Sequence, residues 1–279
     1  MPKPTPKPTP FLPEVRSIAF DQPLHWLVLG WKDMARSPGL SLLHGLLMAI
    51  WGAVLTWVAH DRFWLLAGSV SGFMVIAPVL ATSLYAMSRA MERGEAIDFR
   101  LLVDTWTQWQ LKLRAQPDSY WSLIRFGLLL AMAATGWVLT SSALITLLAP
   151  APIHTPMDFV RHVVLSTDNY LFELWLGLGG LMAAPVFASS VVSMPLLLDR
   201  RVSVLQAVLT SWKTVLVHPV QMALWAFLIM GFCLLGIFSL FMGLVFVVPM
   251  LGHASWHAYR DLVNTDDLPE RLGVQESRP

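Results

Sequence analysis

Trp31-Lys32-Asp33-Met34-Ala35-Arg36-Ser37-Pro38 and, far downstream, Trp212-Lys213-Thr214-Val215-Leu216-Val217-His218-Pro219 share a Trp-Lys pair and a proline seven residues after the tryptophan. A long apolar stretch follows each. Its second half carries a proline with an arginine eleven residues beyond, Pro78 with Arg89 and Pro249 with Arg260. A middle segment keeps part of the plan: Pro185-Val186-Phe187-Ala188-Ser189-Ser190 echoes Pro78-Val79-Leu80-Ala81-Thr82-Ser83, and Arg93 and Arg200 each stand fifteen residues past their proline. We read the chain as three copies of one module, at about residues 20–93, 97–200 and 201–263, each a surface helix followed by a membrane hairpin.

The composition agrees. Of 279 residues, 56% are hydrophobic and only 13% charged, against about 25% charged in an average soluble domain. Too little polar surface remains to cover a globule in water. The charges fall between six apolar runs, Leu40–Ala59, Phe63–Met87, Trp121–Ala149, Tyr170–Leu198, Gln221–Phe238 and Leu240–His257, each near the roughly 20 residues that cross a bilayer. The expected fold is therefore all-α: a polytopic membrane protein of about six transmembrane helices, paired as three hairpins, each preceded by an interfacial amphipathic helix. Residues 15–265 form its single membrane domain, between a Pro-rich tail (1–14) and a flexible C-terminal tail (266–279).

Basic residues give the orientation, because loops facing the cytoplasm carry an excess of Lys and Arg. With the N-terminus inside, only Arg62 and Arg161 of the 19 basic residues fall outside. Both termini are expected to be cytoplasmic. The net charge of +1 and the scatter of basic residues over loop ends give no sign of nucleic-acid binding. The single cysteine, Cys233, excludes an internal disulfide or a cysteine-based metal site.

Before the first span, Leu24, Leu27, Val28, Trp31, Met34 and Ala35 recur at helical spacing. Val202, Leu205, Val208, Leu209, Trp212, Val215 and Leu216 repeat the pattern before the fifth, and Phe99, Leu102, Val103, Trp106 and Leu113 give a weaker version before the third. Trp31, Lys32, Trp212 and Lys213 are expected at the membrane interface, and Trp256 and Tyr259 at the headgroup boundary. Pro38, Pro117 and Pro219 would end the surface helices and turn the chain into the membrane. Pro78, Pro185 and Pro249, at matching places in the three modules, would kink the second arms. The outer loop Pro150–Asn169, with three prolines, is not expected to hold a stable fold.

His253 and His257 lie four apart on one helix face and could ligate a metal or haem. Structural zinc, however, wants about four ligands, and no thiolate or suitably spaced carboxylate accompanies them. Imidazoles also sit comfortably at a headgroup boundary. The spans contain no charge at their centres, where one would signal a relay. Gly68-Ser69-Val70-Ser71-Gly72 and the glycines of the fourth run read as helix-packing sites. No Gly-x-Ser-x-Gly elbow, His-Glu-x-x-His, Walker loop or dinucleotide fingerprint appears.

The segments Val192–Arg200, Ala207–Pro219 and Pro249–Val263, the last containing Leu251-Gly252-His253-Ala254-Ser255-Trp256-His257-Ala258-Tyr259-Arg260-Asp261-Leu262-Val263, resemble the closing half of a family of predicted bacterial integral membrane proteins known only as a domain of unknown function. Trp31 to Leu40 and Tyr85 to Gly94 resemble its opening half. The resemblance implies a six-span protein of the Gram-negative inner membrane and transfers no catalytic residue. The functional expectation is a non-enzymatic scaffold or assembly partner of a membrane complex, without a cofactor, whose partners are membrane lipids and another inner-membrane protein or a second copy of itself. The alternatives are a carrier or channel for a small neutral or lipid-like solute, and a metal- or haem-binding protein centred on His253 and His257.

Overall fold

A computed structural model describes residues 12–58, 77, 79–107, 117–166 and 170–271. Pro78, the Gly68–Gly72 motif and most of the second apolar run lie outside them. Among the described residues the chain is helical, joined only by two isolated β-bridges, Val15 with Val263 and Arg200 with Glu270. The helices are α1 (Gln22–Arg36), α2 (Pro38–Val58), α3 (Thr82–Arg93), α4 (Phe99–Thr107), α5 (Pro117–Leu148), α6 (Pro156–Phe159), α7 (Leu171–Ser190), α8 (Ser193–Asp199), α9 (Val204–Val217), α10 (Pro219–Phe238) and α11 (Leu244–Leu262). A π-helical turn, Val160–Val164, follows α6.

Four stretches among the described residues are long and apolar enough to cross a bilayer: Pro38–Val58, Ile124–Leu148, Leu171–Asp199 and Pro219–Phe238. They correspond to the first, third, fourth and fifth apolar runs. The sixth run continues beyond His257 in α11, a helix that carries His253, His257, Arg260 and Asp261 and has eleven buried residues. Pro38 opens α2, Pro117 opens α5 and Pro219 opens α10, where a missing amide proton costs nothing and the fixed φ suits the first turn. Pro185 and Pro249 lie inside α7 and α11.

The surface-helix segments pack against second arms: α1 on α11, α4 on α3, and α9 on α7 and α8. In α1 and α9 much of the apolar stripe stays outward. Helix α1 buries Trp26, Gly30, Asp33 and Met34 and exposes Leu24, Val28 and Trp31. Helix α9 buries Ala207, Thr210, Ser211 and Thr214 and exposes Leu205, Leu209, Trp212 and Leu216. Small side chains bring the backbones together. A Cβ on Gly30 would collide with the Met250 carbonyl oxygen and the Ala254 amide, and one on Gly45 of α2 with the Val245 carbonyl. The main core lies where these elements converge, around Trp26, Trp225, Trp256, Tyr259, Leu196, Leu197 and Val263, with Trp26 and Trp225 edge to face at 5.4 Å.

Two expectations about loops and tails are corrected. The outer loop is folded over its described residues, 150–166: the Thr155 amide donates to Asp158 Oδ2 at 2.9 Å and the Asp158 amide to Thr155 Oγ1 at 3.2 Å, a reciprocal cap with Pro156 as first helical residue. Beneath it, Ile153 and Val163 bury against Ile145 and Leu171. The C-terminal segment is likewise held as far as Arg271 rather than released at Asp266. The amides of Asn264, Arg201 and Arg271 donate to the carbonyls of Glu14, Pro269 and Asp199, so unpaired backbone is tied down instead of solvated.

Candidate functional site

Polar side chains gather at the end of the bundle where α1, α3 and α11 meet and both described chain ends lie. The centre is Asp33, whose residue is 3% exposed although it comes from a surface-helix segment. Ser88 of α3 donates its hydroxyl to Asp33 Oδ2 at 2.9 Å. Its only proton thus used, Ser88 Oγ can accept alone, and His253 Nδ1 stands 2.7 Å away. His253 therefore carries its proton on Nδ1. Its Nε2 is left to accept from the buried Ser41 hydroxyl at 3.0 Å. On the other flank His257 Nε2 donates to Asp33 Oδ2 at 2.8 Å, and Arg36 reaches Oδ1 at 3.3 Å. Burial raises the Asp33 pKa, but the hydrogen bond and charge of His257 and the Ser88 hydroxyl outweigh it. The carboxyl stays below its ordinary value.

A second knot surrounds Asp199, at the end of α8. Arg200 Nε contacts Oδ2 at 3.0 Å, the Tyr259 hydroxyl donates to the same oxygen at 2.8 Å, and Arg89 Nε and Arg93 approach Oδ1 at 3.0 and 3.6 Å. The Arg89 Nε contact is an ion pair off the line of a hydrogen bond. Glu270 on the C-terminal segment joins Arg93 at 3.2 Å and Arg200 at 3.3 Å. A third knot places Glu92 against Arg260 at 2.8 Å and against Trp256 Nε1 at 3.1 Å. Asp261 meanwhile accepts from Trp26 Nε1 and Gln22 Nε2, both at 2.7 Å.

The structure therefore treats the sequence-predicted residues unequally. His253 and His257 share a face, but both nitrogens of His253 are occupied by hydroxyls and His257 is turned to Asp33. Among the described residues no group of three or more His, Cys, Asp or Glu side chains could hold a metal ion. Trp31 and Trp212 are 52% and 37% exposed, Lys32 is exposed, Trp212 Nε1 donates to Ser189 Oγ at 2.9 Å, and Lys213 reaches the Pro13 carbonyl at 3.0 Å. Trp256 and Tyr259 face the protein core, at 1% and 0% exposed, with Glu92 and Asp199 as acceptors for their polar tips.

Asp33, Glu92 and Asp199, the acids that organise these knots, escaped sequence reasoning. For two of them a signal existed. Glu92 and Asp199 each lie fourteen residues after their proline, Pro78 and Pro185. Arg89, eleven after Pro78, pairs with Asp199, and Arg260, eleven after Pro249, pairs with Glu92. At the remaining pair of these offsets stand Leu196 and Val263, both buried in one core cluster.

No curated protein and no solved structure matches the chain. The polar knots at α3 and α8 sit at the ends of apolar segments too long and too poorly charged for a water-soluble core, which is the setting of a bilayer protein. Residues 65–199 match the model of a family described as predicted integral membrane protein (DUF2189), a segment that reaches Arg89, Glu92, Arg93 and Asp199 but stops short of the closing His253–Val263 stretch.

Proposed function

We propose that this protein is a non-enzymatic scaffold or assembly partner of a membrane complex, built as three hairpin modules with six spans, in a bacterial inner membrane with both termini cytoplasmic. The observation that carries this reading is the inverted amphipathicity of the surface helices. Helix α9 turns the small and polar Ala207, Thr210, Ser211 and Thr214 toward the protein, α1 turns Gly30 and Asp33 inward beside Trp26 and Met34, and both leave large apolar side chains outward, Leu24, Val28 and Trp31 in one and Leu205, Leu209, Trp212 and Leu216 in the other. In water such stripes would be a liability. In the acyl and headgroup region they are the stable arrangement, and they leave the protein with a belt suited to apolar neighbours.

The polar knots support the same reading, because their side chains are spent on one another across elements. The matched offsets of the Arg89–Asp199 and Arg260–Glu92 pairs favour three equivalent modules closed into a ring. Extraction into nanodiscs with native lipid, followed by mass spectrometry of the co-purifying material, is the test. A stoichiometric membrane-protein partner is the expected result. A lone protein that instead conducts a solute across liposome membranes would overturn the scaffold in favour of a carrier.

A further inference from the structure

We propose that Arg93 and Arg200 form a seat for an anionic phosphate group, that of a phospholipid headgroup, and that Glu270 is its built-in competitor. Asp199 is already saturated: one oxygen takes Arg89 and Arg93, the other Arg200 and Tyr259. Three guanidiniums therefore face one buried carboxylate, and burying cationic groups without balancing anions is costly. The second anion in the cluster is Glu270, with a side chain 56% exposed and bridging Arg93 at 3.2 Å and Arg200 at 3.3 Å. It is thus held by two guanidinium groups from different elements, α3 and the segment after α8. Guanidinium forks donate to carboxylate and phosphate oxygens in the same geometry. An ion pair this exposed is weak, so a phosphate with more charge and more oxygens can displace it.

The position selects the source. The apolar stretch Leu171–Asp199 is longer than the roughly 20 residues that cross a bilayer and ends at Asp199, so Arg200, which follows it, falls on the headgroup side of the span, where lipid phosphates lie. The C-terminal segment carrying Glu270 is anchored beside the seat through the Arg201–Pro269 and Arg271–Asp199 backbone bonds. It can therefore return to the arginines whenever the lipid leaves.

Native mass spectrometry of the full chain in neutral detergent, titrated with phosphatidylglycerol or phosphatidylcholine, tests this. Wild type should retain one phosphatidylglycerol in preference to phosphatidylcholine. Glu270→Gln should raise that retention about two- to fivefold, the fold-change of losing an exposed ion pair, and Arg93→Gln should lower it, with thermal melting confirming that both variants are folded. Inorganic phosphate forming its own adduct and displacing the lipid would assign the seat to free phosphate, whereas a lipid adduct indifferent to phosphate assigns it to the headgroup. Equal retention of the two lipids, or retention unchanged in folded Glu270→Gln, would overturn the proposal.

Discussion

At Asp33 a single carboxylate decides how four helices meet: Ser88 (α3) and His257 (α11) reach it directly, His253 (α11) through Ser88, and Ser41 (α2) through His253 and Ser88. Replacing it by Asn keeps the shape but leaves one acceptor where several donors converge. We expect Asp33→Asn to cost about 1–3 kcal/mol, read as a lowered melting temperature in detergent. The pH dependence has a defined sign. A carboxyl held below its ordinary value when folded contributes stability that is present above its unfolded pKa and lost as pH falls through the folded one. The gap between wild type and Asp33→Asn should therefore be constant near neutrality and shrink below about pH 4. A gap that widens on acidification would refute this account of the site.

Helix α1 shows how little its neighbours in sequence share. Gly30 faces the backbone of α11, with no room for a Cβ beside Met250 and Ala254, while Trp31 is half exposed. Enlarging the first is an overpacking change worth about 1–3 kcal/mol, and it should also disturb Asp33 one turn on. We predict that Gly30→Val lowers the melting temperature markedly, whereas Trp31→Leu leaves it nearly unchanged and instead weakens partition into lipid vesicles. The reverse order would mean that α1 packs by its apolar stripe. Sequence periodicity located that stripe but could not tell which neighbour it met. A helix with small and polar residues opposite Leu and Trp looks alike in a soluble protein and in a lipid belt, and only the contact with α11 separates the two.

Across the whole molecule, the Arg89–Asp199 and Arg260–Glu92 pairs tie the ends of the second arms together in unequal surroundings. The first has side chains 13% and 3% exposed, the second 32% and 44%. Removing one partner of a buried pair strands the other, at about 3–5 kcal/mol, while an exposed pair is worth about 0.2–1 kcal/mol. Asp199→Ala should accordingly destabilise the protein several times more than Glu92→Gln, by chemical or thermal unfolding. Comparable losses would show that Asp199 is not the keystone. The proposed topology has its own check. With Cys233→Ser as background, cysteines placed at Pro4 and Ser277 should react with a membrane-impermeant maleimide only after cells are permeabilised; labelling of intact cells would place the termini outside.

By itself the sequence determined what the solvent is. Apolar runs of bilayer length, charges confined to their ends, and helix-opening prolines at Pro38, Pro117 and Pro219 are local facts, and helices form from them locally. The recurrence of Trp-Lys and of Pro followed by Arg also stands in the sequence, since counting offsets needs no coordinates. The tertiary structure decided which polar groups meet. Asp33 joins His257 across 224 residues of chain and Arg260 joins Glu92 across 168. Helix crossings at Gly30, Gly45 and Gly252 set such distances, and no local pattern encodes them. The burial of Trp256 and Tyr259 follows from the same cause: distant elements bring Glu92 and Asp199 to the polar tips of the two rings.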